Sequence, residues 1–110
     1  MINNFNWYVV NTKPRQEDYA ERMITQIGVE TFYPKINDKK SLFPGYLFAK
    51  YNPIEHFKKI RYSKGVRDIV SYGLNPVPVD EEIINSIRLR MKNGFVQISN
   101  GLFKKGERVI

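Results

Sequence analysis

The chain has 110 residues, of which 42% are hydrophobic and 14% aromatic, and its formal net charge is +7 at pH 7. This length favours one compact domain around a single core. The chain contains no cysteine, which excludes disulfides and thiolate chemistry. No apolar run approaches the roughly 18 residues of a membrane-spanning helix, and the amino end lacks a signal-peptide pattern. We therefore expect a soluble cytoplasmic protein whose positive charge favours nucleic acid phosphates or acidic surfaces as partners.

A strand and a helix are the first predicted elements. Residues 7–10 (WYVV) form a short aromatic and β-branched run that predicts a strand. Pro14 suits a helix start, and apolar residues recur at helical spacing from Arg15 to Ile27. Gly28 then favours the end of the helix.

Two strands with a connector between them follow the first helix. Residues 31–33 predict the second strand, residues 35–41 are a polar and basic connector, and residues 46–51 predict the third strand after a Pro44-Gly45 corner. Successive strand residues point to opposite faces, so Tyr46 and Phe48 project together. In so small a domain this aromatic pair is either packed in the core or offered to another molecule.

The second half of the chain predicts two more helices around a strand. Residues 53–62 predict a short helix whose apolar spacing starts at Ile54, residues 66–72 a fourth strand, and residues 73–78 a proline-containing loop. Asp80 opens a third helix. The apolar stripe of this helix comprises Ile83, Ile84, Ile87 and Met91. Residues 95–98 and 103–110 read as an extended tail.

The order strand, helix, strand, strand, helix, strand, helix predicts the fold class. It is typical of α+β domains of the RRM or ferredoxin-like kind, with an antiparallel four-stranded sheet and helices packed mainly on one face. The opposite sheet face is then left for binding, and Tyr46 and Phe48 would lie on it.

Residues that support catalysis or metal binding are scarce. His56 is the single histidine, and the seven glycines do not form a phosphate-binding loop. Asp80, Glu81 and Glu82 point in different directions on a helix, so compensation of the helix dipole explains them better than a catalytic or metal cluster. We expect a domain without enzymatic activity, cofactor or metal.

Basic residues fall into three groups, around Lys13, from Lys35 to Lys40, and from Lys58 to Arg67. Such groups are typical of solvated surfaces unless they share a face. If the first two helices lie side by side, the first and third groups meet near Tyr19, Tyr62 and Lys64. Aromatic rings among cations are what a single-stranded nucleic acid binds.

Five motifs occur in one order along the chain: residues 7–10 (WYVV), 43–48 (FPGYLF), 64–66 (KGV), 78–80 (PVD) and 102–109 (LFKKGERV). In this order they resemble the amino-terminal (NGN) domain of bacterial NusG-type transcription elongation factors, and among these the specialised RfaH-like antitermination paralogues. The resemblance implies that residues 1–100 form this domain. It also implies that residues 101–110 are a linker and the start of an otherwise absent KOW domain, as in an isolated fragment or truncated product.

A function and three sets of contacts follow from the resemblance. It implies a monomer that binds the clamp helices of the largest RNA polymerase subunit, bridges the DNA channel and suppresses pausing. Carried over by position, the clamp-helix site comprises Asn11, Phe43, Pro44, Tyr46, Phe48 and Tyr72. The polymerase gate-loop contact comprises His56, Phe57 and Lys58. The face toward the non-template DNA strand comprises Lys13, Gln16, Tyr19, Met23, Lys59 and Lys64, where Tyr19 and Met23 depart from the polar residues expected.

Two other function classes stay open. Residues 45–51 and 8–11 partly match the paired strand motifs of RRM-type modules that bind single-stranded RNA. Leu47 stands where that pattern has a small residue, and Pro44 where it has a basic one. A small-ligand regulatory domain of ferredoxin-like fold would need a convergent polar pocket, which the sequence does not indicate.

Overall fold

The computed structural model describes residues 5–98, and this part of the chain contains three helices and eleven short strands. In chain order they are β1 (Asn6–Thr12), α1 (Glu17–Gln26), β2 (Glu30–Phe32), β3 (Lys35–Asn37), β4 (Lys40–Ser41), β5 (Tyr46–Tyr51), α2 (Pro53–Arg61), β6 (Val66–Ile69), β7 (Ser71–Tyr72), β8 (Asn75–Pro76), β9 (Pro78–Val79), α3 (Glu81–Leu89), β10 (Met91–Lys92) and β11 (Phe95–Val96).

Five strands form the central antiparallel sheet. Its order is β2-β5-β1-β6, and β9 also pairs with β1. Strand β6 pairs with β1 at residues 10–12 and β9 pairs with it at residues 7–8, so the two lie end to end along one edge of β1. Between them the chain leaves the sheet and forms the β7–β8 hairpin, whose base is closed by the Val77 N–H donating to the Val70 carbonyl at 3.1 Å.

Alternation along β1 and β5 divides the core between the two sheet faces. On one face Tyr8, Leu47 and Tyr51 pack with α1 and α2. On the other face Trp7 and Phe48 pack with Phe32 and with Ile84 of α3. Two of the three helices therefore share a face, but the expectation that the opposite face is left open was wrong, because α3 covers part of it.

The helix ends explain where α2 and α3 begin and α1 stops. The Asn52 side chain accepts the Ile54 N–H at 3.0 Å, with Pro53 in the first helical position, and Asp80 accepts the Glu82 N–H at 3.0 Å. Gly28, with a φ of +96°, follows Ile27, the C-cap residue of α1. These features confirm the predicted roles of Asp80 and Gly28.

Several predicted boundaries differ from the structure. Helix α1 begins at Glu17 rather than near Pro14. Arg15 has a φ of +62°, which a right-handed helix does not allow, so the helix can begin only after this residue. The predicted connector 35–41 contains the β3–β4 hairpin. Part of the predicted loop 73–78 pairs as β8 and β9, where proline is tolerated because β9 hydrogen-bonds to one neighbour only. The predicted fourth strand 66–72 is divided, because the chain turns out of the sheet after Ile69.

The apolar stripes of α2 and α3 are narrower than predicted. Ile54 and Ile83 both face solvent. The buried positions are taken by Ile60 in α2 and by Ile84 in α3. Met91 lies beyond the end of α3 in β10, and Asn93 and Gly94, both with positive φ, form the two-residue turn into β11.

No helix within residues 5–98 is long and apolar enough to cross a membrane. The predicted domain boundary at residue 100 and the predicted linker 101–110 lie outside the described residues.

Candidate functional site

Residues 43–46 form a tight turn, here called the aromatic turn, before β5. The Tyr46 N–H donates to the Phe43 carbonyl at 3.0 Å, and Gly45 has a φ of +86° after the fixed φ of Pro44. This combination is a type II turn, which requires positive φ at its third residue and thus favours glycine there. The turn places a phenylalanine and a tyrosine on either side of an exposed proline.

Hydrogen bonds hold the aromatic turn from two directions. The Gly45 carbonyl accepts the Asn11 side-chain Nδ2 at 3.0 Å and the Thr12 N–H at 2.8 Å. On its other side, the Gly45 N–H donates to the Glu17 carboxylate Oε2 at 3.0 Å. The predicted neighbours Asn11, Phe43, Pro44 and Tyr46 therefore belong to one local structure. Sequence reasoning missed Glu17, because helical periodicity does not indicate a partner 28 residues away.

The aromatic rings of this site divide into exposed and supporting rings. Phe43 is 39% exposed and Tyr46 is 42% exposed, whereas Phe48 is 7% exposed. Phe48 stacks on Phe32, and Phe43 meets it edge-on, each pair with ring centroids 6.0 Å apart. The strand register places Phe48 opposite Val9 and Tyr46 opposite Asn11, which confirms that both aromatics lie on one sheet face. Phe48 nevertheless belongs to the core, where it supports Phe43 from below.

Tyr72 belongs to the β7–β8 hairpin and not to the aromatic turn. Its side chain is 78% exposed, and Leu74 at the hairpin tip is exposed as well. Gly73 has a φ of +63°, so the two-residue turn can be tight. The hairpin leaves the sheet at the edge of β1, on the side away from β5.

The three predicted gate-loop residues on α2 differ in their surroundings. Phe57 packs against the core under α1 and α2. His56 is half-buried, and its Nδ1 is shielded from solvent with no hydrogen-bond partner in the described part of the chain. Lys58 is exposed. Only the lysine is thus fully accessible to another molecule.

The loop between α2 and β6 packs closely on α1. A Cβ added at Gly65, which has a φ of +87°, would lie 3.1 Å from the Ala20 backbone nitrogen and 3.2 Å from its Cα and Cβ. The Lys13 N–H donates to the Gly65 carbonyl at 2.8 Å. This close approach brings Lys13 and Lys64 next to the start of α1, as predicted. Of the predicted nucleic-acid contacts, Lys13, Gln16, Lys59 and Lys64 are exposed, while Tyr19 and Met23 are half-buried.

The cations of this region, here called the cationic surface, are unpaired. They comprise Lys13, Arg15, Lys59 and Lys64, and none of them forms an ion pair within residues 5–98. In contrast, Lys35 of the second basic group pairs with Asp18 at 3.2 Å, and this hydrogen bond raises the pKa of Lys35. The cationic surface thus joins unpaired cations of the first and third basic groups, whereas Lys35 of the second group is neutralised by a carboxylate.

Tyr62 stands beside the cationic surface as an exposed aromatic ring. The guanidinium of Arg61 lies over its ring, with Cζ 5.4 Å from the centroid, and the ring is 78% exposed. Arg61 is itself held by Asp68 at 3.0 Å and by the Arg67 carbonyl at 3.1 Å. The ring therefore rests on a cation that strand β6 holds in position.

Similarity to known proteins was found at two levels. The model of the family described as "Transcription termination factor nusG" matches residues 5–88. The fold is similar to a solved chain described as "Domain interaction in Thermotoga maritima NusG", with a TM-score of 0.56 and 27% identity over 71% of this chain and 52% of that chain. The present chain thus spans about half the length of that solved chain. Among curated proteins none matches.

Proposed function

Because the chain belongs to the NusG family, we propose that it acts in transcription elongation by binding the clamp helices of RNA polymerase and bridging the DNA channel. In this role it suppresses pausing, as the specialised RfaH-like members do, and it performs no covalent chemistry. Its site of action is the cytoplasm. The similarity of the fold to a NusG structure supports this proposal.

The exposed pair on the aromatic turn carries the proposal. Phe43 and Tyr46 are large rings on a turn that is fixed by hydrogen bonds on both sides. Rigid aromatic anchors of this kind dominate the binding energy of protein interfaces. We assign the direct contact to Phe43, Pro44 and Tyr46, with Asn11 positioning the turn and Phe48 supporting it. Tyr72 forms a second contact on its hairpin.

An RRM-like function has less support. RRM modules stack bases on aromatic side chains that stand open on the central strands of the sheet. Here the corresponding sheet face is partly covered by α3, and Phe48 is packed against Phe32 and Ile84. The proposed binding of RNA polymerase needs only the rings at the edge of this face.

Helix α2 provides the proposed contact with the gate loop. Lys58 reaches solvent and His56 lies at the margin of the exposed side. We assign Phe57 a packing role, because it lies against the core. The contact is thereby narrowed to His56 and Lys58.

The cationic surface is the proposed contact with the non-template strand. Its unpaired lysines would attract phosphates, and Tyr62 adds a ring on which an unpaired base can stack. Tyr19 and Met23 contribute to packing more than to hydrogen bonds with bases. The proposed contact with the non-template strand therefore depends on charge and on base stacking.

Capture by RNA polymerase, or by its isolated clamp-helix fragment, tests the proposal. Tyr46→Ala and Tyr72→Ala should each weaken binding at least about tenfold, because truncating an aromatic anchor typically costs about 2 kcal/mol. Tyr62→Ala is the matched control for Tyr72→Ala, since both rings are 78% exposed. The control should bind as the unaltered chain does.

Thermal melts would verify that each variant is folded. Phe48→Ala is unsuitable for this test, because its burial means that lost binding could reflect lost stability. Unaltered affinity of the Tyr46→Ala, Tyr72→Ala double variant would refute the docking assignment. Strong capture of free RNA oligonucleotides in place of polymerase would favour the RRM-like alternative.

A further inference from the structure

Glu17 connects helix α1 to the aromatic turn. It lies in the first turn of α1, is half-buried, and accepts the Gly45 N–H at 3.0 Å. A hydrogen bond to a charged acceptor is stronger than one between neutral groups. The bond joins two segments that are 28 residues apart in the chain.

The bonded N–H belongs to the central peptide of the turn, between Pro44 and Gly45. Type I and type II turns differ chiefly by a flip of this peptide, which exchanges the directions of its N–H and C=O groups. In the observed turn the N–H points at the Glu17 carboxylate. After a flip the Pro44 carbonyl oxygen would point at the same carboxylate, and two acceptors would face each other without a proton between them.

The hydrogen bonds on the opposite side of the turn do not fix the orientation of the central peptide. Asn11 and Thr12 both donate to the Gly45 carbonyl, which belongs to the next peptide along the chain. Those two bonds anchor the end of the turn at β1. Within residues 5–98, Glu17 is the group that accepts the Gly45 N–H and thereby selects the orientation of the central peptide.

We propose that Glu17 is a positioning residue that holds the aromatic turn in one conformer, with Phe43 and Tyr46 presented for binding, and thereby raises affinity for the polymerase. The effect on affinity rests on the proposed function, whereas the effect on the turn does not. Holding a binding loop in its bound form raises affinity by reducing the cost of ordering it.

Three variants of the full chain test the role of Glu17 in binding the clamp-helix fragment. Glu17→Ala should weaken binding about fivefold, because the turn then samples the flipped conformer. Glu17→Gln should restore affinity to within about twofold, since its amide oxygen can accept the same N–H. Glu21→Ala is the matched control on α1, where the Glu21 carboxylate accepts the Thr31 hydroxyl at 3.2 Å. It should leave affinity unchanged.

Amide hydrogen exchange provides a readout that does not depend on any partner. Exchange of the Gly45 amide should be about tenfold faster in Glu17→Ala than in the unaltered chain, and in Glu17→Gln it should be close to that of the unaltered chain. The core amide of Val10 should stay protected in both variants. Unchanged exchange at Gly45, or equal loss of binding in the alanine and glutamine variants, would overturn the inference. If the unaltered chain is not captured at all, the proposed docking fails, and the exchange comparison still decides whether Glu17 holds the turn.

Discussion

At the scale of single residues, the hydroxyl of Tyr51 is one of three buried side-chain polar atoms in the described part of the chain that have no hydrogen-bond partner. The side chain is fully buried beside Tyr8, with ring centroids 4.8 Å apart, and its oxygen has no hydrogen-bond partner within residues 5–98. Burial raises the pKa of the Tyr51 hydroxyl above its usual value of 10. A buried polar group without a partner reduces stability.

Tyr51→Phe should therefore raise the free energy of unfolding, by about 1 kcal/mol at pH 7. The unfolded chain ionises this tyrosine near pH 10 while the folded chain keeps it protonated, so Tyr51 further lowers the free energy of unfolding as pH rises above 10. The phenylalanine variant should lack this part of the alkaline decline. Urea unfolding at pH 7 and at about pH 10.5 measures both effects. Tyr8→Phe is the control, and lower stability of Tyr51→Phe would show that the hydroxyl has a partner.

At the scale of elements, α3 decides how much of the second sheet face is open. Ile84 is fully buried among Trp7, Phe32 and Phe48, and Arg88 of the same helix pairs with Glu30 at 3.4 Å. The Arg88 guanidinium also lies 5.4 Å from the Trp7 ring and 5.0 Å from the Phe32 ring. Helix α3 thus closes the middle of the face and leaves the aromatic turn at its margin.

Adjacent isoleucines on α3 test this arrangement. Ile84→Ala should lower the free energy of unfolding by about 2 to 5 kcal/mol, because it leaves a cavity against the aromatic rings. Ile83→Ala removes the same atoms from a side chain that is 51% exposed, and it should change stability by less than about 1 kcal/mol. Chemical denaturation of both variants gives the comparison. Equal losses would mean that α3 does not pack on the sheet through Ile84.

At the scale of the whole molecule, the cations behind the net charge of +7 differ in whether a carboxylate neutralises them. Lys50, Arg61 and Arg88 are paired with carboxylates, whereas the cationic surface has none within residues 5–98. Phosphate attraction should therefore act through this surface more than through the paired residues. Docking and nucleic-acid contact are thus assigned to different parts of one small domain.

Charge replacement on the cationic surface tests its proposed role. Lys59→Gln with Lys64→Gln should weaken binding of a labelled single-stranded DNA and reduce the slope of log K against log salt by about 1.4. Lys39→Gln with Lys40→Gln on the β3–β4 hairpin removes the same charge and should have a smaller effect. Tyr62→Ala should weaken binding of single-stranded DNA about tenfold and leave duplex binding unchanged. The slope of log K against log salt should stay the same. Fluorescence anisotropy at several salt concentrations measures all three.

If both double-lysine variants behave alike, the attraction is spread over the surface and the assignment to the cationic surface is wrong. Equal losses for single strand and duplex in Tyr62→Ala would contradict base stacking on this ring.

The sequence by itself determined the elements whose signals are local. The 46–51 strand, the Asp80 cap and the Gly28 end of α1 depend on alternation, capping and backbone freedom, which act within a few residues. The ordered motifs also predicted the family, which the match over residues 5–88 confirms.

The tertiary structure alone decided which side chains of each pattern are accessible. Phe48 and Tyr46 share a face, yet only Tyr46 stays exposed, because α3 folds back over the sheet from the far end of the described chain. The bond from Gly45 to Glu17 likewise depends on the position of α1 against the turn. Such contacts join segments that are distant in sequence, and periodicity carries no information about which distant segments meet.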